Sequence, residues 1–191
     1  MKAVNCTSDD LTGLYAEATI YNLDGSAFQT KRAQLDCSAN SAQECMTLFD
    51  GKDENLSNMH FIKLTLKSGS GELLSSNFYW RSKAVWRYQG LQNMKGAQIT
   101  CNIGAIKDGK FSVDVANPTS GIALMIRFKL VDTATSLLVA PVLYSDNYFS
   151  LVPNESRRIE ISLDRVQPRP AAKLIVEGWN IATSEVADVR A

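Results

Sequence analysis

Along most of this chain, apolar side chains return at every second position. Leu14, Ala16, Ala18 and Ile20 alternate with Tyr15, Glu17, Thr19 and Tyr21, a two-residue period that predicts a strand with one face turned to a core. Asn22-Leu23-Asp24-Gly25-Ser26 follows, and its Asp-Gly pair is a strong hairpin signal that makes residues 28–35 the returning strand. Residues 60–67 open another strand. Ser68-Gly69-Ser70-Gly71-Glu72 turns it into a partner that ends in Asn77-Phe78-Tyr79-Trp80. Residues 81–95 keep no period of two or of 3.6, which places a domain boundary there.

The alternation then resumes. Ile99, Cys101, Ile103 and Ala105 form one series, Lys107-Asp108-Gly109 is a turn, and Phe111, Val113 and Val115 form the next. Asn117-Pro118-Thr119-Ser120-Gly121 is a loop of turn residues whose proline disqualifies Asn117 as a glycan acceptor. Ile122, Leu124, Ile126, Phe128 and Leu130 are expected on one face of a long strand, with Arg127 and Lys129 on the other. Residues 137–142 continue the series, with Pro141 placed at a bulge or edge. A mostly apolar run then extends to a Pro153-Asn154 turn, bent at Asp146-Asn147, and is followed by Ile159, Ile161 and Leu163 on a strand with one wet face. A buried strand turning sharply into a half-exposed one is how two-sheet sandwiches are built. Gln167-Pro168-Arg169-Pro170 is an extended connection to the last strand, where Trp179 is expected against the sandwich rim with its indole N–H bonded.

Three segments carry a family likeness: Ser76-Asn77-Phe78-Tyr79-Trp80, the run from Val142 to Ser156, and Val176-Glu177-Gly178-Trp179-Asn180. In order and spacing they resemble the C-terminal immunoglobulin-like domains of family-two glycoside hydrolases, in the branch of exo-β-glucosaminidases and mannosylglycoprotein endo-β-mannosidases. The resemblance covers nearly the whole chain and is more specific after residue 76. It implies an all-β fold of two consecutive immunoglobulin-like antiparallel β-sandwiches, residues 1–85, with allowance for a truncated first strand, and 86–191. It also implies that catalysis belongs to a separate barrel domain, which would be this chain's partner, in a parent that hydrolyses O-glycosidic bonds and is periplasmic or secreted. The catalytic glutamates of such enzymes lie on barrel strands, and no position here matches their motifs.

Composition narrows the remaining classes. Of the 191 residues 45% are hydrophobic and 21% charged, ordinary for a chain that buries a core. Lysine plus arginine and aspartate plus glutamate both number 20, so the electrostatic term on which nucleic-acid binding depends is missing. No apolar stretch approaches the roughly 18 residues of a membrane span. Cys6, Cys37, Cys45 and Cys101 show no CxxC spacing, which argues against structural zinc. Cys37 and Cys45 could face each other across a turn, so a bridge and free thiols are both open readings.

The acidic loop Asp50-Gly51-Lys52-Asp53-Glu54-Asn55 lacks the alternating ligands of a calcium loop and reads as a solvated turn. His60, the single histidine, has no serine or cysteine elbow to serve and reads as a strand residue. No cofactor is expected, and this stretch is not expected to be an enzyme by itself. Tyr79, Trp80, Trp86 and Tyr88 are the candidate contact residues, packing an interdomain seam or stacking on carbohydrate. A free-standing carbohydrate-binding module and a cell-surface interaction domain are the competing readings.

Overall fold

In the computed structural model the described residues are 1–49, 53–84, 87–163, 165–166 and 170–189. Trp86, Asp50-Gly51-Lys52 and Gln167-Pro168-Arg169 lie outside them. The chain is nearly all β, as expected, and divides into two compact units, Met1–Asn93 and Met94–Ala191.

The first unit contains β1 (Lys2–Asn5), β2 (Leu11–Asn22), β3 (Ala27–Cys37), β4 (Ser41–Glu44), β5 (Met59–Lys67) and β6 (Leu73–Ser82), then a single 3-10 turn, Gln89–Asn93. An antiparallel sheet runs in the order β3-β2-β5-β6, and β1 pairs separately with β4. Leu14, Ala16, Ala18 and Ile20 are all buried, as their alternation requires. Ile20 stands opposite Ile62 and packs with it and Leu56 into a small core joined by Phe28, Leu48 and Leu64. The Asp24-Gly25 turn closes β2 onto β3 with Gly25 at φ 91°, and the Asp24 side chain accepts the Ser26 N–H at 2.9 Å.

Cys37 and Cys45 do not meet, because β4 pairs with β1 rather than folding back along β3. All four cysteines are free. The buried Cys37 sulfur lies 3.7 Å from both the carbonyl and the hydroxyl oxygen of Ser41.

The second unit is a two-layer sandwich of β7 (Thr100–Ile103), β8 (Lys110–Ala116), β9 (Ala123–Asp132), β10 (Leu143–Tyr144), β11 (Phe149–Leu151), β12 (Ser156–Ser162), β13 (Ala172–Gly178) and β14 (Ile181–Val189). One sheet runs β10-β12-β8-β7 and the other β11-β9-β13-β14, all pairs antiparallel. Phe111, Val113, Val115, Ile159 and Ile161 from the first sheet share one core with Ile126, Phe128, Leu130, Leu174 and Val176 from the second. The Lys107–Lys110 turn between β7 and β8 has Asp108 at φ 52° and Gly109 at φ 75°. Two successive positive φ angles match the twist of a tight hairpin, and Asp-Gly supplies them at low cost.

The run between residues 142 and 152 is not one buried strand. Its β10 part joins one sheet and its β11 part the other, so the chain changes layers at the Asp146-Asn147 bend. The bend is held by Asn147, whose side chain accepts the Phe128 N–H at 2.8 Å and donates to the Phe128 carbonyl at 3.0 Å. One amide side chain thus replaces a strand partner for β9.

The long β9 strand also departs from simple alternation. Phe149 pairs with Ile126 and Leu151 with Ala123, so β9 carries an extra residue, and Met125 sits at φ 56°. This bulge shifts the phase. Ala123 joins the core with Ile126, Phe128 and Leu130, whereas Ile122 and Leu124 are buried outside that cluster.

Each unit is braced by a buried asparagine followed two residues later by threonine. Asn117, 0% exposed, donates through Nδ2 to the carbonyls of Gly121, Leu151 and Val152 at 2.8, 3.0 and 3.3 Å. Its Oδ1 accepts the Thr119 N–H and hydroxyl at 3.1 and 2.6 Å. Asn5 repeats the pattern, donating to Asp9, Cys37 and Ser38 carbonyls and accepting from the Thr7 N–H and hydroxyl. In both cases one amide ties together carbonyls of separate segments, several of which take a second donor: Val152 the Glu155 N–H, Asp9 the Thr7 hydroxyl and Ser38 the Ser41 hydroxyl.

Candidate functional site

Among the sequence-expected aromatics, Tyr79 and Trp80 do not share a face. Tyr79 and Trp80 are successive residues of β6, opposite Ile62 and Phe61 of β5, so their side chains leave the sheet on opposite faces. They are 46% and 42% exposed, and Tyr88 lies beyond the strand at 39%. Trp86 is outside the described residues.

A better-built site lies on the second unit, where the outer face of the β11-β9-β13-β14 sheet carries a cleft of about 280 Å³. Its walls include Met125 and Arg127 from β9, Tyr148 before β11, Glu177 from β13, Trp179 from the β13–β14 turn, and Thr183 from β14. Trp179, expected at the sandwich rim, is 52% exposed, and Tyr148 is 56% exposed.

The backbone dictates this placement. Gly178 pairs with Ile181, leaving Trp179 and Asn180 as a two-residue turn. A Cβ on Gly178 would meet Ile181 Cδ1 at 2.7 Å and the Leu124 carbonyl oxygen at 3.0 Å, so a side chain here would crowd the turn where it closes against β9. The Trp179 N–H then donates to the Leu124 carbonyl at 2.9 Å. Asn180 fixes the turn from the other side: Oδ1 accepts the Leu124 N–H at 2.9 Å, and Nδ2 donates to the Lys95 and Ile122 carbonyls, each at 2.8 Å. With Asn180 tied down, its neighbour Trp179 is turned outward.

Tyr148 is lifted by the same bend that moves the chain between sheets. The Asn147 clamp leaves Tyr148 at φ 59°, a left-handed conformation that a bulky residue adopts only when its surroundings impose it. The Arg127 guanidinium lies 5.4 Å from the centre of the Tyr148 ring, within cation–π range.

Glu177 receives Arg127 at 3.1 Å on one carboxylate oxygen and Lys129 at 2.6 Å on the other. The three side chains are a quarter to a third exposed, so the network is partly shielded and rigid, with polar groups held between two aromatic rings. The alternation of Arg127 and Lys129 and the Val176-to-Asn180 segment were legible in sequence. Their meeting with Tyr148 was not.

No group of three or more histidine, cysteine, aspartate or glutamate side chains suited to a metal occurs among the described residues. Elsewhere carboxylates serve as braces. Asp36 accepts the Gly13 N–H at 2.7 Å, and Glu155 accepts the Val152 N–H at 3.0 Å. Asp132 accepts the N–H groups of Ala134 and Thr135 at 2.7 and 2.9 Å, and these bonds, Thr135 first, hold its carboxyl below its ordinary pKa.

Two packed antiparallel sheets with a chain that crosses between them define a β-sandwich of the immunoglobulin class. The chain belongs to the exo-beta-D-glucosaminidase Ig-fold domain family, whose model matches residues 77–181. It is 28% identical over 211 residues to the exo-beta-D-glucosaminidase of Amycolatopsis orientalis, an alignment covering 96% of this chain and 20% of that protein. A mannosylglycoprotein endo-beta-mannosidase of Lilium longiflorum is 35% identical over 74 residues, covering 36% of this chain and 8% of that one. The crystal structure of the A. orientalis exo-chitosanase CsxA superposes with a TM-score of 0.77 at 26% identity, over 97% of this chain and 25% of that one. The chain thus spans about a fifth of the length of the curated relatives that match most of it.

Proposed function

We propose that this chain is the non-catalytic C-terminal accessory region of a larger glycoside hydrolase of the exo-β-glucosaminidase or β-mannosidase type. Its work is to buttress the catalytic barrel and to rim the mouth of the active site. The observation that carries this reading is the asymmetry of coverage: 96% of the chain aligns with 20% of a relative named for glycosidase activity. The bracing carboxylates support it, because an acid whose oxygens hold a turn or two cations has little capacity left for proton transfer to a sugar.

In this reading each unit is one immunoglobulin-like domain, with the junction between residue 85 and Met94. The half-exposed rings of Trp80 and Tyr88 are contact residues for the rest of the parent, which acts in the periplasm or outside the cell. The test is complementation. The parent enzyme lacking this stretch is mixed with the purified chain, and melting temperature and hydrolysis of chromogenic β-glucosaminide and β-mannoside are followed. Binding should raise the melting temperature of the truncated enzyme. Hydrolysis by the isolated chain, or a truncated enzyme that neither binds it nor loses stability without it, would overturn the proposal.

A further inference from the structure

We propose that the cleft between Tyr148 and Trp179 binds a neutral, β-linked pyranose oligosaccharide. This stands independently of the accessory role above, since it rests on the cleft alone. Two rings, each more than half exposed, flank a depression near the lower end of the roughly 300–1,000 Å³ typical of small-ligand sites. A pyranose with equatorial substituents presents a flat face of C–H groups. Such C–H groups carry slight positive charge and are attracted to the negative faces of aromatic rings.

The same sugar is ringed by hydroxyls, and the cleft floor offers donors and acceptors for them. Arg127 spends one nitrogen on Glu177, leaving guanidinium N–H groups from its set of five. Thr183 adds a hydroxyl. Charge selects against ionised ligands. Glu177 already holds two cations, so a cationic ligand would face Arg127 and Lys129, while an anionic one would compete with Glu177 for them. A neutral polyol can accept from Arg127 and donate to Glu177 without breaking the network.

The construction is also rigid. Met125 and Tyr148, both non-glycine residues at positive φ, border the cleft, and Asn147 and Asn180 pin the two segments that present the rings. Fixed aromatic platforms lose little entropy when a ligand stacks on them.

The test is isothermal titration calorimetry of the whole chain with cellohexaose, mannohexaose and N-acetylchitohexaose at up to millimolar concentration. At least one probe should bind. Trp179→Ala and Tyr148→Ala should each weaken that binding by about tenfold or more, as loss of a central aromatic anchor does. Trp179→Phe should restore part of it, and Tyr15→Ala, an exposed ring on the first unit, should leave it unchanged. Both target rings are more than half exposed, so the alanine variants should keep the wild-type circular dichroism spectrum. Failure of all three probes to bind overturns the proposal, as does binding that survives both alanine substitutions. Either result leaves the accessory role standing, because the complementation assay reads association with the parent rather than sugar binding.

Discussion

Replacing Asn117 by alanine is the sharpest test of how the second unit is held together. Asn117 is fully buried, and its amide reaches three carbonyls on two loops while its oxygen takes two bonds from Thr119. The bonds to Leu151 and Val152 are buried, whereas the Gly121 carbonyl is partly open to water. A typical hydrogen bond contributes about 0.5–1.5 kcal/mol net, and a buried group left without a partner costs about 1–3 kcal/mol. Val152 keeps the Glu155 N–H, so the stranded Leu151 carbonyl together with the lost bonds to Val152 and from Thr119 gives about 2–4 kcal/mol. For a domain of this size that lowers the melting temperature by on the order of 10–25 °C. Thr119→Val keeps the amide and removes the bond from the threonine hydroxyl to Asn117, so it should cost only about 1 kcal/mol. Urea unfolding of both variants, followed by circular dichroism, measures the difference. A cost below about 1 kcal/mol for Asn117→Ala, or equal costs for the two variants, would refute the argument that one amide closes the unit.

Three further outcomes are expected. His60 is 4% exposed and its Nδ1 has no hydrogen-bond partner among the described residues; burial, against opposing bonds to the Asn58 and Ser57 backbone, pushes its pKa below the ordinary 6.5. The unfolded chain therefore takes up a proton near pH 6.5 that the folded chain refuses, so stability falls as pH drops below that value and is insensitive to His60 above about 7.5. Urea midpoints from pH 8 to 5.5 should show this slope in the wild type and a shallower one in His60→Gln. Burial pushes the Cys101 thiol up to about 11, so at pH 8 it should react with a disulfide reagent far more slowly than exposed Cys6. Equal rates, resolved by peptide mapping, would contradict the burial. Gly178→Ala should cost about 1–3 kcal/mol, since the new methyl crowds the Leu124 backbone oxygen at 3.0 Å. An unchanged urea midpoint would show that the β13–β14 turn can relax.

Where a local rule has one solution, the strands were readable in advance. Leu14 to Ile20 is a buried alternating face, Asp24-Gly25 and Asp108-Gly109 are turns, and Phe111, Val113 and Val115 enter the core. Period-two patterning survives translation into structure because a strand has only two faces. It failed at Met125, where an inserted residue at positive φ moved Leu124 out of the core set. A bulge adds no unusual residue type to mark it. Cys37 and Cys45 were left open for a similar reason: a spacing of eight permits a hairpin without requiring one, and the pairing of β4 with β1 decides against it.

By itself, then, the order of residues determined an all-β chain whose alternation breaks between residues 81 and 95, with turns at its Asp-Gly pairs and a balanced charge. Tertiary structure alone decided which sheet each half of the run from 142 to 152 joins, what the buried amides of Asn5 and Asn117 hold, and that Tyr148 and Trp179 flank one cleft. The division has a physical cause. Burial and turn geometry act between neighbours a few residues apart, so they leave a period in the sequence. The Asn147 clamp spans 19 residues, the Asn117 brace up to 35 and the Arg127–Glu177 pair 50, and contacts between such distant positions leave none.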